Sequence, residues 1–129
     1  MRKTVLDASA ILAALFREPG AGVIETHYEA GIVSSVNLSE VAAKLSDRGM
    51  PSIQAQELLS GLGLAIRPFD ERLAYIAGAL REATRSSGLS LGDRACLALG
   101  LAEGVPVVTV DRKWADVSEA VGVEVLLAR

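Results

Sequence analysis

The stretch VPVVTVDRKWADV, residues 105 to 117, runs from a nearly unbroken apolar segment straight into Asp111, Arg112 and Lys113. A short apolar, β-branched run of this kind is typical of a strand buried on both faces of a parallel sheet, and Pro106 is tolerated where such a strand starts. A carboxylate directly after a buried strand either caps the next helix or holds a ligand. The rest of the sequence has to decide between these two interpretations of Asp111.

Four other short runs have the same strand character. They are KTVLD (3 to 7), GIVSS (31 to 35), LAIRPF (64 to 69) and VEVLL (123 to 127). Segments with helical spacing separate them, and strands that alternate with helices predict an α/β fold with a central parallel sheet covered on both faces. Two helical segments, 37 to 48 and 52 to 60, lie between the second and third strands, so the alternation is not strict. The segment ACLALGLA (95 to 102) is apolar on every side, which predicts a helix buried all round.

Composition limits the classes of protein and site. With 129 residues and no repeat or low-complexity linker, the chain is predicted to form a single domain, 1–129. One cysteine, Cys96, excludes an internal disulfide, and one histidine, His27, leaves almost no ligands for a zinc site. No apolar stretch reaches the ~18 residues of a membrane span, and we expect a soluble, cytoplasmic protein with no membrane partner. The formal charge of -3 argues weakly against nucleic acid as a partner, but it becomes about +1 if four acids hold metal.

Asp7 and Asp111 each follow a predicted strand, after TVL and VVTV. All strands of a parallel sheet point the same way, so both side chains emerge at the carboxyl edge, where such folds bind ligands. Taken singly, each aspartate is better explained as the N-cap of the next helix.

Glu40 and Asp93 each lie near the start of a predicted helix. Asn37 in NLSE can cap the first helix, with Glu40 completing a capping box. Ser90 can cap the second helix, with Asp93 at the positive end of its dipole. Asp93 also opens the helix that is apolar all round, so its carboxylate must be paired, protonated or bound to a cation.

All four acids can reach one edge of the sheet. Carboxylates that crowd together repel each other, and the usual remedies are a shared proton or a hard divalent cation. An oxygen-only pocket without His or Cys suits Mg²⁺ or Mn²⁺, which lowers the pKa of bound water and neutralises charge developing on a phosphodiester. The pattern therefore favours phosphodiester hydrolysis.

Four segments in this order, LDASAI, NLSEV, LSLGDRACLALG and VVTVDRKW, resemble the PIN-domain ribonucleases, specifically the VapC-type toxins of bacterial toxin-antitoxin pairs. The resemblance covers nearly the whole chain and implies a three-layer α/β/α sandwich with a parallel sheet. It implies a metal-dependent endoribonuclease in which Asp7, Glu40, Asp93 and Asp111 hold Mg²⁺ or Mn²⁺ and activate the attacking water. It also implies a homodimer, silenced by a small antitoxin whose tail occupies the acidic groove.

Hydroxyl groups also match positions of this family. Ser9 lies two residues after the first acid and Thr109 two before the last, where hydroxyls help to orient ligands or substrate. Asp116 is better explained as the cap of the next short helix than as a further acid of the site. Trp114, the only tryptophan, is expected to pack in the core.

Cationic residues flank the proposed ligands. Arg94 directly follows Asp93, Arg112 and Lys113 follow Asp111, and Lys44 lies one helical turn beyond Glu40. A cationic rim around an acidic metal site is what an RNA backbone requires. We expect Arg112 and Lys113 to face the RNA.

Two alternatives remain open at this stage. A phosphoacceptor receiver domain has a similar length and an acidic pocket at the same sheet edge, but it requires an acid pair after the first strand and a lysine after the fifth. Here the first strand is followed by Asp7 alone and the fifth by VLLAR. The second alternative is a PIN-like scaffold that binds without cutting, although the presence of all four acids gives no indication of a dead site.

Overall fold

A five-stranded, entirely parallel sheet forms the centre of the protein in this computed structural model, which describes residues 2–129. Met1, the first residue of the predicted domain, lies outside the described residues. The strands are β1 (Thr4–Leu6), β2 (Gly31–Ser34), β3 (Ala65–Arg67), β4 (Val107–Thr109) and β5 (Val125–Leu127), in the spatial order β3-β2-β1-β4-β5. Each strand lies within one of the five predicted runs, so the parallel α/β prediction is confirmed.

Seven α-helices surround the sheet. They are α1 (Ala8–Leu15), α2 (Ala21–Glu25), α3 (Ser35–Asp47), α4 (Ser52–Ser60), α5 (Glu71–Thr84), α6 (Leu91–Glu103) and α7 (Val117–Val121). Three short 3-10 turns, Tyr28–Ala30, Arg85–Ser87 and Arg112–Asp116, complete the regular structure of residues 2–129. The connection between β2 and β3 holds α3 and α4, as the two helical segments in the sequence predicted.

The alternation of side chains along the strands creates two cores. Val5 and Val107 face a core formed with α5, α6 and α7, whereas their neighbours Leu6 and Val108 face a second core formed with α1 to α4. Successive strand residues point to opposite faces of a sheet, so strands that are apolar throughout require a helical layer on each side. The three-layer α/β/α architecture is confirmed.

The most apolar segments lie where their composition predicts. In α6, the consecutive residues 95 to 100 are all buried, including Cys96 and Leu97. Trp114 is 0% exposed and belongs to the core beneath α5, α6 and α7, which confirms that it packs in the core. His27 is half-buried and lies between α2 and the turn Tyr28–Ala30.

The start of α3 differs from the prediction. Ser34, the last residue of β2, caps the helix by accepting a hydrogen bond from the Val36 N–H, and Asn37 lies inside the first turn. The predicted cap at Asn37 is therefore wrong, and so is the capping box that Glu40 would have completed. The physical reason is that β2 continues into α3 with no loop between them, so the helix starts earlier than its apolar stripe indicates.

The order of the strands places a crevice between β1 and β4. Helices that follow β1 and β2 cover one face of the sheet, and helices that follow β3 and β4 cover the other face. Chain segments leaving the carboxyl ends of β1 and β4 therefore separate to opposite sides, and such a switch point is where open α/β sheets bind ligands. Receiver domains have the order 2-1-3-4-5, so the strand order here excludes that alternative.

Candidate active site

A cleft of about 410 Å³ lies at this switch point. The four predicted acids, Asp7, Glu40, Asp93 and Asp111, all line it. Asp7 comes from the end of β1 and Asp111 from the segment after β4, whereas Glu40 and Asp93 come from α3 and α6, which contact each other. Other polar side chains on the same walls are Ser9, Asn37, Lys44 and Asp47.

Asp7 is the deepest of the four acids, with only 3% of its surface exposed. Its Oδ1 accepts hydrogen bonds of 2.8 Å from the Ala10 N–H and from Ser9 Oγ. Its Oδ2 accepts one of 2.7 Å from Thr109 Oγ1 and lies 2.9 Å from Ser9 Oγ. Both oxygens of this carboxylate are therefore fixed in direction by α1 and β4.

Burial raises the pKa of Asp7 from 3.8 to about 6. Desolvation of the charged carboxylate is the largest cause, and the negative charge of Asp93 raises the pKa further. The hydrogen bonds from Thr109, Ala10 and Ser9 act in the opposite direction, because they stabilise the ionised form. A cation bound beside Asp7 would therefore strongly favour the ionised form of this carboxyl group.

Ser9 and Thr109 serve the carboxylates directly. Thr109 is 0% exposed. Its Oγ1 donates a hydrogen bond to Asp7 and accepts one of 3.0 Å from the Asp111 N–H. A side chain buried in this way cannot touch a substrate, so the predicted orienting role of Thr109 applies to the two acids. Ser9 Oγ lies 3.2 Å from Thr109 Oγ1 and closes this network of hydrogen bonds.

Three of the four acids take part in N-terminal capping and also line the cleft. Asp7 caps α1, and Asp93 forms a capping box with Ser90. Asp111 caps the turn Arg112–Asp116 by accepting a hydrogen bond of 3.1 Å from the Lys113 N–H. For Asp93, Oδ2 accepts 3.0 Å from the Ser90 N–H. Capping and ligand binding, which the sequence presents as rival explanations, are therefore compatible in this protein.

Glu40 is held differently, because it lies in the second turn of α3 and not at a helix end. Its Oε1 accepts a hydrogen bond of 2.8 Å from Asn37 Nδ2. The same nitrogen donates a hydrogen bond of 3.0 Å to the Gly92 carbonyl at the start of α6. Asn37 thereby links Glu40 to the turn that carries Asp93.

The donor set fits a hard divalent cation. Within residues 2–129 one oxygen each of Glu40, Asp93 and Asp111 is anchored, while the other accepts no hydrogen bond, although that of Asp111 lies in an ion pair, 3.6 Å from Lys113 Nζ. Anchoring one oxygen and presenting the other is how surrounding groups orient a metal ligand, and oxygen ligands without nitrogen or sulfur suit Mg²⁺ or Mn²⁺. In the described part of the chain no three such side chains lie close enough together to form a ready metal cluster. Coordination would therefore need the four acids to draw closer together around the cation.

The cationic rim is smaller than predicted. Lys44 lies on the cleft wall. Arg94, which the sequence places beside Asp93 in this rim, instead donates a hydrogen bond of 3.1 Å to the Ala77 carbonyl of α5, and its side chain links α6 to α5. Arg112 and Lys113 are exposed, and Lys113 Nζ lies 3.6 Å from Asp111 Oδ2. Their contact with RNA stays a prediction.

Two residues that line the cleft, Asp47 and Asn37, were not predicted as site residues. Asp47 lines the cleft two helical turns beyond Glu40. Nothing in the sequence distinguishes this residue from an ordinary surface acid near the end of a helix. Asn37 had a signal, its position three residues before Glu40, but this spacing was interpreted as a helix cap. Asp116 precedes α7 as expected, but its side chain makes no capping hydrogen bond.

An apolar groove of about 490 Å³ adjoins the acidic cleft. It lies between α3, α4 and β3, with Leu38, Ala42, Leu59 and Ile66 among its walls. Ala43 of α3 lines both the groove and the cleft, so the two border each other at this residue.

None of the helices in residues 2–129 combines the length and the apolar character that a bilayer crossing requires.

Comparison with known proteins identifies the family. Residues 4–120 match the PIN domain. A toxin-antitoxin complex from Klebsiella pneumoniae contains a chain of the same fold, with 17% identity, 98% coverage of both chains and a TM-score of 0.76. A DNA-bound VapBC from Salmonella typhimurium has 16% identity, full coverage of both chains and a TM-score of 0.74. FitAcB from Neisseria gonorrhoeae has 19% identity, 97% coverage of both chains and a TM-score of 0.72. No curated protein matches.

The fold and the acidic cleft define a protein of the α/β/α class with its site at the sheet's switch point. The match over residues 4–120 makes the chain a member of the PIN-domain family.

Proposed function

We propose that this protein is a Mg²⁺- or Mn²⁺-dependent endoribonuclease and the toxin of a toxin-antitoxin pair. The observation that carries the proposal is the meeting of Asp7, Glu40, Asp93 and Asp111 in one cleft at the switch point of the sheet. PIN domains are generally nucleases, and the choice of RNA rests on the resemblance of the four sequence segments to VapC-type toxins.

The four acids would hold the cation, which when bound lowers the pKa of water and neutralises charge that develops on the phosphodiester. Asp7 supplies a carboxylate fixed by Ser9 and Thr109. Asp93 and Asp111 are fixed by the backbone N–H groups that they cap. These anchors restrict the directions of the three side chains, so a cation would have to draw the acids closer together but would not have to order freely rotating groups.

Lys44 provides the positive charge for the substrate. It lies on the cleft wall one helical turn from Glu40, where its ammonium can contact a phosphate of the RNA backbone. Arg112 and Lys113 follow Asp111 on an exposed turn and extend this positive surface beyond the cleft. Binding at these groups would hold the strand while the acids act on one phosphodiester.

The partner proposal follows from the apolar groove beside the cleft. A small antitoxin would place apolar side chains between α3 and α4 and continue past Ala43, so that a cationic side chain of its tail reaches the acids. Occupying both surfaces would block the RNA and neutralise the acids at the same time. Structures of the same fold come from toxin-antitoxin complexes, which supports a partner of this type. We further propose a homodimer that acts in the cytoplasm, where its RNA substrate is.

The test is a cleavage assay on total RNA with purified protein. We expect cleavage with Mg²⁺ or Mn²⁺, loss of cleavage with EDTA, and a loss of at least about 100-fold in the near-isosteric variant Asp93→Asn, which removes one ligand charge. Asp116→Asn is the matched control, because this exposed aspartate does not line the cleft. Equal cleavage by Asp93→Asn, or in EDTA, would assign the activity to a contaminant. Binding of RNA without any cleavage would favour the non-cutting scaffold instead.

A further inference from the structure

We propose that Asn37 and Gly92 are positioning residues that seat the Glu40 carboxylate on the first turn of α6, beside Asp93. The inference rests on the proposed metal-binding function of the four acids. It deepens that function by assigning the residues that fix Glu40, the one acid that does not lie at a helix end. The sequence gives Asn37 no role except a helix cap, which Ser34 fills.

Asn37 is buried, with 1% exposure, and its amide has one possible orientation. Its two Nδ2 hydrogens are directed at Glu40 Oε1 and at the Gly92 carbonyl oxygen. Turning the amide over would bring Oδ1 against two acceptors, which excludes the alternative orientation. The side chain is therefore a two-pronged donor that joins α3 to α6 through Glu40.

Asn37 Oδ1 has no hydrogen-bond partner among the described residues, and it is buried. A buried acceptor without a partner costs stability. A residue whose only role was packing would not carry that cost, since an apolar side chain could fill the space. The two hydrogen bonds, to Glu40 and to the Gly92 carbonyl, explain why an amide is present.

Gly92 supplies the other half of the seat. A Cβ atom added to Gly92 would lie 2.6 Å from Glu40 Cδ and closer still to both carboxylate oxygens. The glycine does not need a positive φ, because it lies within the regular helix α6. What Gly92 provides is space: the Glu40 carboxylate lies where the side chain of any other residue would begin.

These contacts predict that the position of Glu40 can be changed without a loss of stability. In Gly92→Ala the new methyl group displaces the end of a flexible, exposed glutamate, which is a cheap adjustment for the fold. Alanine is also the better helix former. Stability should therefore be kept or raised while Glu40 is moved from its seat. Asn37→Ala is less clean, because it also leaves a cavity in a buried position.

The experiment measures Mn²⁺ affinity by electron paramagnetic resonance and Tm by thermal unfolding, both on the full chain. We expect Gly92→Ala to raise the Mn²⁺ Kd by about 10- to 100-fold with a Tm at or above that of the wild type. Gly78→Ala is the matched control, since Gly78 lies in α5 and a Cβ there would meet nothing within 4 Å. It should leave the Mn²⁺ Kd unchanged. In a Glu40→Ala background, Gly92→Ala should have no further effect on the Kd.

Each other outcome overturns the inference in an identifiable way. Wild-type Mn²⁺ affinity in Gly92→Ala would show that Glu40 needs no seat, and it would leave the proposed function standing. An equal loss in the Glu40→Ala background would show that residue 92 acts directly on Asp93. Absence of Mn²⁺ binding by the wild type would overturn the proposed metal site and this inference together.

Discussion

Thr109 Oγ1 donates a hydrogen bond of 2.7 Å to Asp7 Oδ2 across the boundary between β4 and β1. The same oxygen accepts from the Asp111 N–H, so one buried hydroxyl sets the positions of two acids that are 104 residues apart in the chain. The parallel pairing of β1 with β4 creates this contact, because it aligns Leu6 with Val108 and places the next residues of both strands at the same edge. The first two predictions follow from the state of Asp7.

Thr109→Val keeps the side-chain shape and removes the donor to Asp7. Since this hydrogen bond lowers the pKa of Asp7, the pKa should rise above its value of about 6. The free energy of unfolding at pH 8 should fall by about 1.5–3 kcal/mol, the usual contribution of a hydrogen bond to a charged group. Carboxyl ¹³C NMR and urea unfolding measure the two quantities.

The control for this change is Thr84→Val, since Thr84 is also buried and donates 2.8 Å to a backbone carbonyl, that of Leu80. It should cost about 1 kcal/mol and leave Asp7 unaffected. An unchanged pKa of Asp7 in Thr109→Val would contradict the role given to this hydroxyl.

Asp7→Asn should change how stability depends on pH in metal-free buffer. The pKa of Asp7 is raised from 3.8 in the unfolded chain to about 6 in the folded one, so the folded state holds its proton more tightly. The stabilising contribution is complete below pH 4 and is lost as the pH rises through 6, by on the order of 3 kcal/mol. Asparagine does not titrate, so its stability relative to the wild type should increase by that amount between pH 4 and pH 8.

Urea unfolding at a series of pH values provides this comparison. A difference between Asp7→Asn and wild type that is the same at pH 4 and pH 8 would show that burial does not raise the pKa of Asp7. Adding Mg²⁺ should stabilise the wild type above pH 6 and have little effect on the variant, because metal binding requires the ionised carboxylate.

Lys44→Ala should weaken binding of RNA more than it slows the chemical step. Lys44 lies on the cleft wall but contacts no reacting group in the proposed mechanism. We expect a several-fold rise in KM and a salt dependence of binding that is smaller by about one unit of slope. Lys3→Ala is the matched control, since Lys3 precedes β1 at the opposite end of the strand from Asp7. Equal effects of the two changes would remove Lys44 from the RNA site.

Ile66→Glu should prevent capture of the antitoxin without unfolding the protein. Ile66 is 41% exposed on the edge strand β3 and lines the apolar groove. Leu127 has the same 41% exposure on the other edge strand, β5, and does not line the groove, so Leu127→Glu is the control. If a short reading frame is found immediately upstream of its own, the protein would be co-expressed with that product and the two purified together. Retention of the partner by Ile66→Glu would exclude the groove as its docking surface.

Much of the fold could be predicted because its signals are local. The apolar β-branched runs gave all five strands, and the helix that is apolar all round is buried as predicted. The error at Asn37 has a physical cause: no loop separates β2 from α3, so the last strand residue takes the role of the cap. Arg94 was grouped with the cationic rim because it follows Asp93 in sequence, but adjacency says nothing about the direction of a side chain, which here reaches α5.

The site was harder to predict than the fold because its residues have two roles. Asp7 and Asp111 are N-caps, Asp93 completes the capping box of Ser90, and all three line the cleft. Explaining them by capping therefore does not argue against a site. Asp47 and Gly92 gave no signal in the sequence. Their importance depends on α3 and α6 meeting beside the sheet, and that is a tertiary contact.

The most direct test of the central claim is the position of a bound metal. Crystals grown or soaked with Mn²⁺ would be measured for anomalous scattering from manganese. We predict a peak in the cleft, within about 2.0–2.5 Å of oxygens from Asp7, Glu40, Asp93 or Asp111. The same measurement on Asp93→Asn should show a weaker peak or none. Manganese bound elsewhere, or no peak in the cleft at millimolar Mn²⁺, would contradict the metal-dependent mechanism.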